Sequence, residues 1–295
     1  MLQETATRPE TTARATGDAA EWRRLRQDVR QATQDGGFTL VFQPRCSLAD
    51  ASITGAAAQL RWPRRRGGVM QASGLATVLE SCGLTADVAA WTLIEACRAA
   101  AAWPRGQVSV SAAGLGEGGL LRQIGAALKE SGLAAGRLEI GLTEAALAID
   151  TPEVLLALAA LRDRGVGVAL EGFGGESANL MPLKRLPLTT LILDRSLVRD
   201  LPDDTEAAAI MHATISLAGT LGIAVIANGV ETQSQRDWLR RAGCEAAQGS
   251  FCGRSLSASA LAEGMAKEEG FFFEKKNQKT FISLGSAGLS QLARR

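Results

Sequence analysis

The sequence predicts an α/β protein folded as a (β/α)8 barrel. Three observations lead there. Short apolar strand candidates alternate with longer helical patterns from about residue 38 to 266. Strands such as Val166–Leu170 and Ile223–Ala227 are apolar on both faces, as in a sheet covered outside and filled inside. No G-x-G-x-x-G opens a helix after the first strand, which counts against a dinucleotide fold. Strand–helix alternation itself demands parallel strands, because a parallel return needs a crossover of a dozen or more residues. The 295 residues could make two domains at about 150 each, but α/β barrels hold roughly 250 residues as one unit.

Taken in order, residues 1–19 are rich in Thr, Ala and Arg without apolar periodicity and read as a disordered leader. A lead-in helix is placed at 20–34, where Trp22, Leu25, Val29 and Ala32 share a face and Asp35-Gly36-Gly37 stops the pattern. Strands are expected at Phe38–Phe42, Ile53–Leu60, Val108–Ser111, Leu138–Leu142, Val166–Leu170, Thr190–Leu193, Ile223–Ala227 and Ala246–Gly249. Helices are expected at Leu84–Ala101, Leu120–Lys129, Pro152–Arg164, Glu206–Leu221, Gln233–Ala242 and Ser257–Lys267, the last closing a barrel domain that spans 20–267. Residues 268–295 read as a flexible tail that adds little to stability. Phe271, Phe272, Phe273 and Phe281 interleave there with Lys275, Lys276 and Lys279 and lack a helical period. The alternative for this tail is an aromatic-basic patch for a membrane surface or a partner.

The charge balance excludes some functions. Lys plus Arg total 32 and Asp plus Glu 31, so no bulk field attracts a nucleic acid polymer or an anionic membrane. No apolar run approaches the ~20 residues of a membrane span, and no signal-peptide core is present, so a cytoplasmic location is expected. Cys46, Cys82, Cys97, Cys244 and Cys252 form no C-x-x-C pair and read as free, buried thiols in a reducing compartment. The sole histidine, His212, cannot build a His-based zinc site and reads as a helix-surface or packing residue. Arg64-Arg65-Arg66 reads as a solvated basic loop, with phosphate or acidic-partner capture as the alternative.

A series of short motifs then sharpens the reading. Gln43-Pro44, Leu60-Arg61-Trp62, Leu142-Thr143-Glu144, Phe173-Gly174, Leu193-Asp194-Arg195-Ser196, Gly229-Val230-Glu231-Thr232 and Gln248-Gly249 occur in order at expected strand ends. Together they resemble the landmarks of EAL domains, the cyclic di-GMP phosphodiesterase superfamily, from about Phe38 to Leu256. The resemblance implies a modified TIM (β/α)8 barrel of EAL type, with one antiparallel strand, from a bacterial signal-transduction protein. It also implies hydrolysis of cyclic di-GMP with two Mg2+ or Mn2+ ions. Hard cations of that kind want carboxylate and amide oxygens at barrel strand ends. The pair would generate a hydroxide and stabilise the displaced oxygen.

Position by position, the resemblance also implies a degenerate phosphodiesterase. The Glu that names the family falls at Ala57, in the run Ala57-Ala58-Gln59, and the family Asn falls at Ser111. The first Glu of E-x-T-E falls at Gly141, the Asp pair at Glu171-Gly172, the Lys at Ile192, and a further Glu at Asn228. Gln248 is unchanged, and Glu171 is a longer carboxylate in place of Asp. Glu144 is retained and is read as a structural anchor for the loop after Phe173-Gly174, here Gly175-Glu176-Ser177-Ala178-Asn179.

No catalytic residues, metal or cofactor are therefore expected. Gln43, Arg61, Asp194 and Gln248 remain as ligand-binding candidates. The resemblance implies that Arg61, like its counterpart in the family, would touch a phosphate, as a forked guanidinium suits, and Ser250 and Ser255 depart from the family's aromatic and proline. The function expected is a catalytically inactive EAL-like module that regulates cyclic di-GMP-related signalling through contact with an unidentified protein partner. The alternative is a non-hydrolysing receptor that binds cyclic di-GMP weakly, and an active phosphodiesterase ranks last. No cyclase-like or sensor segment accompanies the barrel, so a signal is expected to arrive through the partner.

Overall fold

Helix α1 (Thr11–Asp35) leads the chain into the barrel and ends at Gly36, whose φ of 67° requires a residue without a Cβ penalty. The computed structural model describes residues 11–64, 68–112, 119–143, 152–175 and 180–267, with side chains left aside at 11–20, 72 and 73. The tail 268–295, Glu144, residues 65–67 of the basic loop and residues 176–179 lie outside them. The helix begins within the segment read from sequence as a leader. Alanine and arginine have high helix propensity and extend a helix without an apolar stripe, which is the signal that reading required. Leu25, Val29 and Ala32 pack with Phe38, Trp62, Leu75, Val78, Leu79 and Val88 in a cluster beside the barrel, whereas Trp22 stays 39% exposed.

The strands that follow are β1 (Thr39–Ser47), β2 (Ile53–Pro63), β3 (Val69–Gln71), β4 (Gln107–Ser111) and β5 (Leu138–Thr143). After them come β6 (Gly167–Phe173), β7 (Thr190–Leu193), β8 (Ala224–Asn228) and β9 (Ala246–Gln248). The order is β1-β9-β8-β7-β6-β5-β4-β2-β3, and the added pairing of β1 with β2 closes the ring. β1 runs antiparallel to both of its neighbours, β2 and β9, while β2 and β4 through β9 are mutually parallel. This is an eight-stranded barrel with one antiparallel strand, as expected, plus one short extra strand, β3, antiparallel on β2.

Helices α3 (Thr85–Ala101), α4 (Leu120–Ser131), α5 (Pro152–Asp163), α8 (Thr205–Thr220), α9 (Gln233–Arg241) and α10 (Ala258–Ala266) cover the outside, each close to its expected span. Their inner faces and the outward strand residues form one continuous core, including Phe42, Leu93, Val108, Ile140, Leu158, Leu191 and Leu261. Sequence reading missed α2 (Ala72–Cys82) and two five-residue helices, α6 (Met181–Arg185) and α7 (Arg195–Arg199). Five residues are too few to display a 3.6-residue period. His212 lies exposed on α8, as a helix-surface residue should.

One expectation is overturned. Cys46 on β1 and Cys252, four residues past the end of β9, are joined by a disulfide, with Cα atoms 5.5 Å apart. Their sequence separation of 206 hides the pairing; only the antiparallel docking of β1 on β9 brings them together. Cys82, Cys97 and Cys244 remain free thiols. Burial pushes Cys97 and Cys244 up to about 12, so neither is a thiolate at neutral pH. Brief alkylation of the native protein should therefore label Cys82 alone. Denaturation without reductant should expose three thiols. Labelling of Cys46 or Cys252 under that second condition would contradict the pairing.

Candidate functional site at the barrel mouth

In a barrel of parallel strands, chemistry gathers at the carboxyl ends, where each inward-pointing residue can face the axis. The closed register brings the expected positions around this rim. Gln43 pairs with Ala57, Ser111 with Gly141, Glu171 with Ile192, Ile192 with Ile226, and Asn228 with Gln248. Glu144 lies outside the described residues.

Around Ile192 the barrel interior carries an apolar patch. Ala169, Ile192 and Ile226 form a buried cluster of their own, with Ala246 against it. One strand further round, Glu171 on β6 takes the room that Gly141 on β5 leaves. A Cβ at 141 would overlap the Glu171 carboxylate, with Cδ 2.5 Å and Cγ 3.1 Å away. Burial, aided by the charge of Glu139, raises the Glu171 carboxyl above its ordinary value, and Arg45 opposes this. Gly172, at φ 74°, sits where the β6–β7 register shifts between Glu171 and Phe173, a bulge that favours a left-handed residue. Among the described residues no group of three or more His, Cys, Asp or Glu side chains could hold a metal ion. A pair of hard divalent cations needs several oxygen ligands each, and among the described residues the rim offers the Glu171 carboxylate with the amides of Asn228 and Gln248.

The interdependence of positions 141 and 171 can be measured. Gly141→Ala should destabilise the fold by ~1–3 kcal/mol through overpacking against Glu171. Adding Glu171→Asp, which shortens the side chain, should recover most of that loss as a coupling energy in a double-mutant cycle. Strict additivity of the two substitutions in chemical denaturation would rule the contact out.

Deeper in the barrel lies a polar network that sequence reading missed. Arg45 is 3% and Glu139 1% exposed. Arg45 Nη1 donates to Glu139 Oε1 at 2.5 Å, and Thr190 Oγ1 donates to Glu139 Oε2 at 2.7 Å. Burial disfavours the charged Glu139, yet the Arg45 charge and these hydrogen bonds hold its carboxyl below the ordinary range. Arg45 Nε also donates to Gln248 Oε1 at 3.3 Å, and Gln248 Nε2 donates to Gln43 Oε1 at 3.1 Å. The signal for this network was present in the sequence: charged residues at inward positions of otherwise apolar strands. Pairing makes them tenable.

The network continues upward to the rim. Gln59 Nε2 donates to Gln43 Oε1 at 2.6 Å, and Arg61 Nη2 donates to Gln59 Oε1 at 2.7 Å. Three of the four ligand candidates, Gln43, Arg61 and Gln248, therefore form one chain of contacts with Gln59. Asp194 stands apart as the N-cap of α7, its Oδ1 accepting from Ser196 N at 2.8 Å. Arg61 also borders a cavity of about 350 Å3 between β2, α2 and α3, walled by Ala58, Leu60, Leu79 and Val88 and reaching Ser111. Partial burial lowers the pKa of the Arg61 guanidinium.

The other motifs hold the scaffold. Thr232 caps α9, with its hydroxyl accepting from Gln235 N and the Gln235 side chain returning to Thr232 N. The Gln248 carbonyl accepts from Gly229 N at 2.7 Å and Val230 N at 3.1 Å. That tight packing leaves no room for a Cβ at Gly249, which would lie 2.6 Å from Val230 N.

Residues 26–255 match the EAL domain family model. The chain is 32% identical over 256 residues to the bifunctional diguanylate cyclase/cyclic di-GMP phosphodiesterase MucR of Pseudomonas aeruginosa, covering 84% of this chain and 37% of MucR. It is 34% identical over 246 residues to the cyclic di-GMP phosphodiesterase NbdA of the same organism, covering 81% of this chain and 31% of NbdA. It thus spans about a third of the length of these curated relatives. The solved structure described as the PaMucR phosphodiesterase in complex with c-di-GMP superposes with a TM-score of 0.75 at 31% identity, covering 81% of this chain and 99% of that one. With the closed barrel and its antiparallel first strand, these matches establish that the chain belongs to the EAL domain family.

Proposed function

We propose that this barrel is a non-hydrolysing EAL domain that acts in cyclic di-GMP-related signalling as a regulatory module, through contact with a protein partner. The observation that carries the reading is the rim itself. Ala57, Gly141 and Gly172 offer no side-chain oxygen at strand ends where carboxylate ligands would be needed, Asn228 offers an amide in place of a carboxylate, and Ile192, at the family's Lys position, is packed against Ala169 and Ile226. Glu171 alone cannot hold two divalent ions against water, so neither Mg2+ nor Mn2+ belongs to the functional protein. No helix among the described residues is long and apolar enough to cross a membrane. A cytoplasmic place of action is part of the proposal, and a nucleic acid polymer is not a partner in it.

A second reading, a receptor for cyclic di-GMP without hydrolysis, is favoured by Arg61 at the edge of an apolar-walled cavity. A solved relative is described as a c-di-GMP complex, which gives the ligand to try first. In both readings the metal pair is gone. Titration of Mn2+ into the protein, with and without cyclic di-GMP, should show no binding of two ions up to millimolar concentrations. Saturable binding of two ions per chain would overturn the reading.

A further inference from the structure

Gln59 has a role in this barrel that its apolar neighbours on β2 do not share. Its Oε1 accepts from Arg61 Nη2 at 2.7 Å and from Ser255 Oγ at 3.0 Å, which fills both lone pairs of an amide oxygen. Its Nε2 donates to Gln43 Oε1 at 2.6 Å. The other bond of the Arg61 guanidinium runs from Nη1 to the carbonyl of Leu60 at 3.1 Å. Arg61 is therefore folded back onto its own strand, although it borders the cavity between β2, α2 and α3. Gln43, which could otherwise turn toward a ligand, accepts from Gln59 on one side and from Gln248 on the other.

We propose that Gln59 is an autoinhibitory latch: its side-chain amide occupies Arg61 and Gln43 and so competes with an anionic phosphodiester ligand at the barrel mouth. A phosphate oxygen bonds a guanidinium more strongly than a neutral amide does. The amide, however, is attached to the same strand and acts at the high effective concentration of an intramolecular competitor. Binding must break the Gln59 contacts first, and the affinity falls accordingly. Release of Gln59, by a partner that draws β2 or the Ser255 segment aside, would make the mouth competent for the ligand. The latch itself stands on the contacts above; only the identity of its ligand rests on the receptor reading.

The test uses the full chain and two substitutions of opposite sense. Gln59→Met keeps the length of the side chain and removes the amide. Gln59→Glu replaces the amide by a carboxylate that pairs more strongly with Arg61 and gives up the donor to Gln43. The first readout is the rate at which phenylglyoxal modifies Arg61, followed by peptide mass spectrometry without any nucleotide. It should rise severalfold in Gln59→Met and fall below the native rate in Gln59→Glu. The second readout is calorimetric titration with cyclic di-GMP in the absence of divalent metal. Gln59→Met should bind about tenfold more tightly than the native protein, and Arg61→Ala in the same background should abolish the gain. An unchanged Arg61 modification rate in both variants would overturn the latch whatever the nucleotide does. A raised rate in Gln59→Met with unchanged nucleotide affinity would keep the latch and overturn cyclic di-GMP as its ligand.

Discussion

Arg45→Met should be among the most damaging single substitutions in this protein, costing ~3–5 kcal/mol of stability. The side chain it removes lies in the barrel interior, 3% exposed, and neutralises a Glu139 that is 1% exposed. Without Arg45, Glu139 retains Thr190 as a hydrogen-bond donor but loses its cation in a site with little water. The cost is that of an uncompensated buried charge, which is why it exceeds the net worth of the pair. Glu139→Met added to Arg45→Met should therefore recover a large part of the loss, since an apolar replacement of both partners is often neutral. Native Glu139 has its carboxyl below the ordinary value. Its contribution is present above the unfolded value of about 4.3 and is lost as pH falls through the folded value. The deficit of Arg45→Met should accordingly shrink on acidification from pH 7, as Glu139 becomes protonated in both states. For a domain of this size the loss at pH 7 corresponds to roughly 10 °C or more in melting temperature. A loss below ~1 kcal/mol at pH 7 would show that the pair is more hydrated than its burial indicates.

The second large effect concerns hydrolysis. Removing one transition-state contact typically costs ~10²–10³ in rate. Position 57 carries Ala, 141 and 172 carry Gly, 192 carries Ile and 228 carries Asn. Groups that act as a unit are not additive, so losing several leaves no more than the residue of activity that losing the first leaves. The same logic predicts that Ala57→Glu alone, which returns one carboxylate, will not restore turnover. Ile192 would still lie within its apolar cluster, and Glu171 would still fill the space above Gly141. Hydrolysis restored by that single substitution, in the presence of Mn2+, would mean that the remaining donors suffice.

Much of the architecture was legible because short both-face apolar runs such as Val225–Ala227 alternate with amphipathic helices such as α4, whose 3.6-residue period is clear. The apolar run predicts a strand that ends at Phe42, yet β1 continues to Ser47. The polar side chains there are paired inside the barrel, and Pro44 pairs with Ala56 on one side only, since β9 ends at Gln248 opposite Arg45. β3 and α2 escaped notice because a three-residue strand and a helix opening on Ala-Ser-Gly carry weak signals. Of the site, the strand-end positions could be placed from motifs, because the register of a closed barrel fixes them around one rim. The contacts of Gln59, Arg45 and Glu139 could not, because they join residues up to 203 positions apart. Nor could the role of Asp194, where local helix capping takes the carboxylate that the motif offered to a ligand.

The most direct test of the account is a product assay. Purified protein at micromolar concentration is incubated with cyclic di-GMP in Mg2+ and in Mn2+, and the linear dinucleotide pGpG is followed by chromatography over hours. The account predicts no metal-stimulated product above a no-protein control. Metal-dependent formation of pGpG that Glu171→Ala or Gln248→Ala abolishes would contradict it, and would place a working metal centre on the side chains that remain.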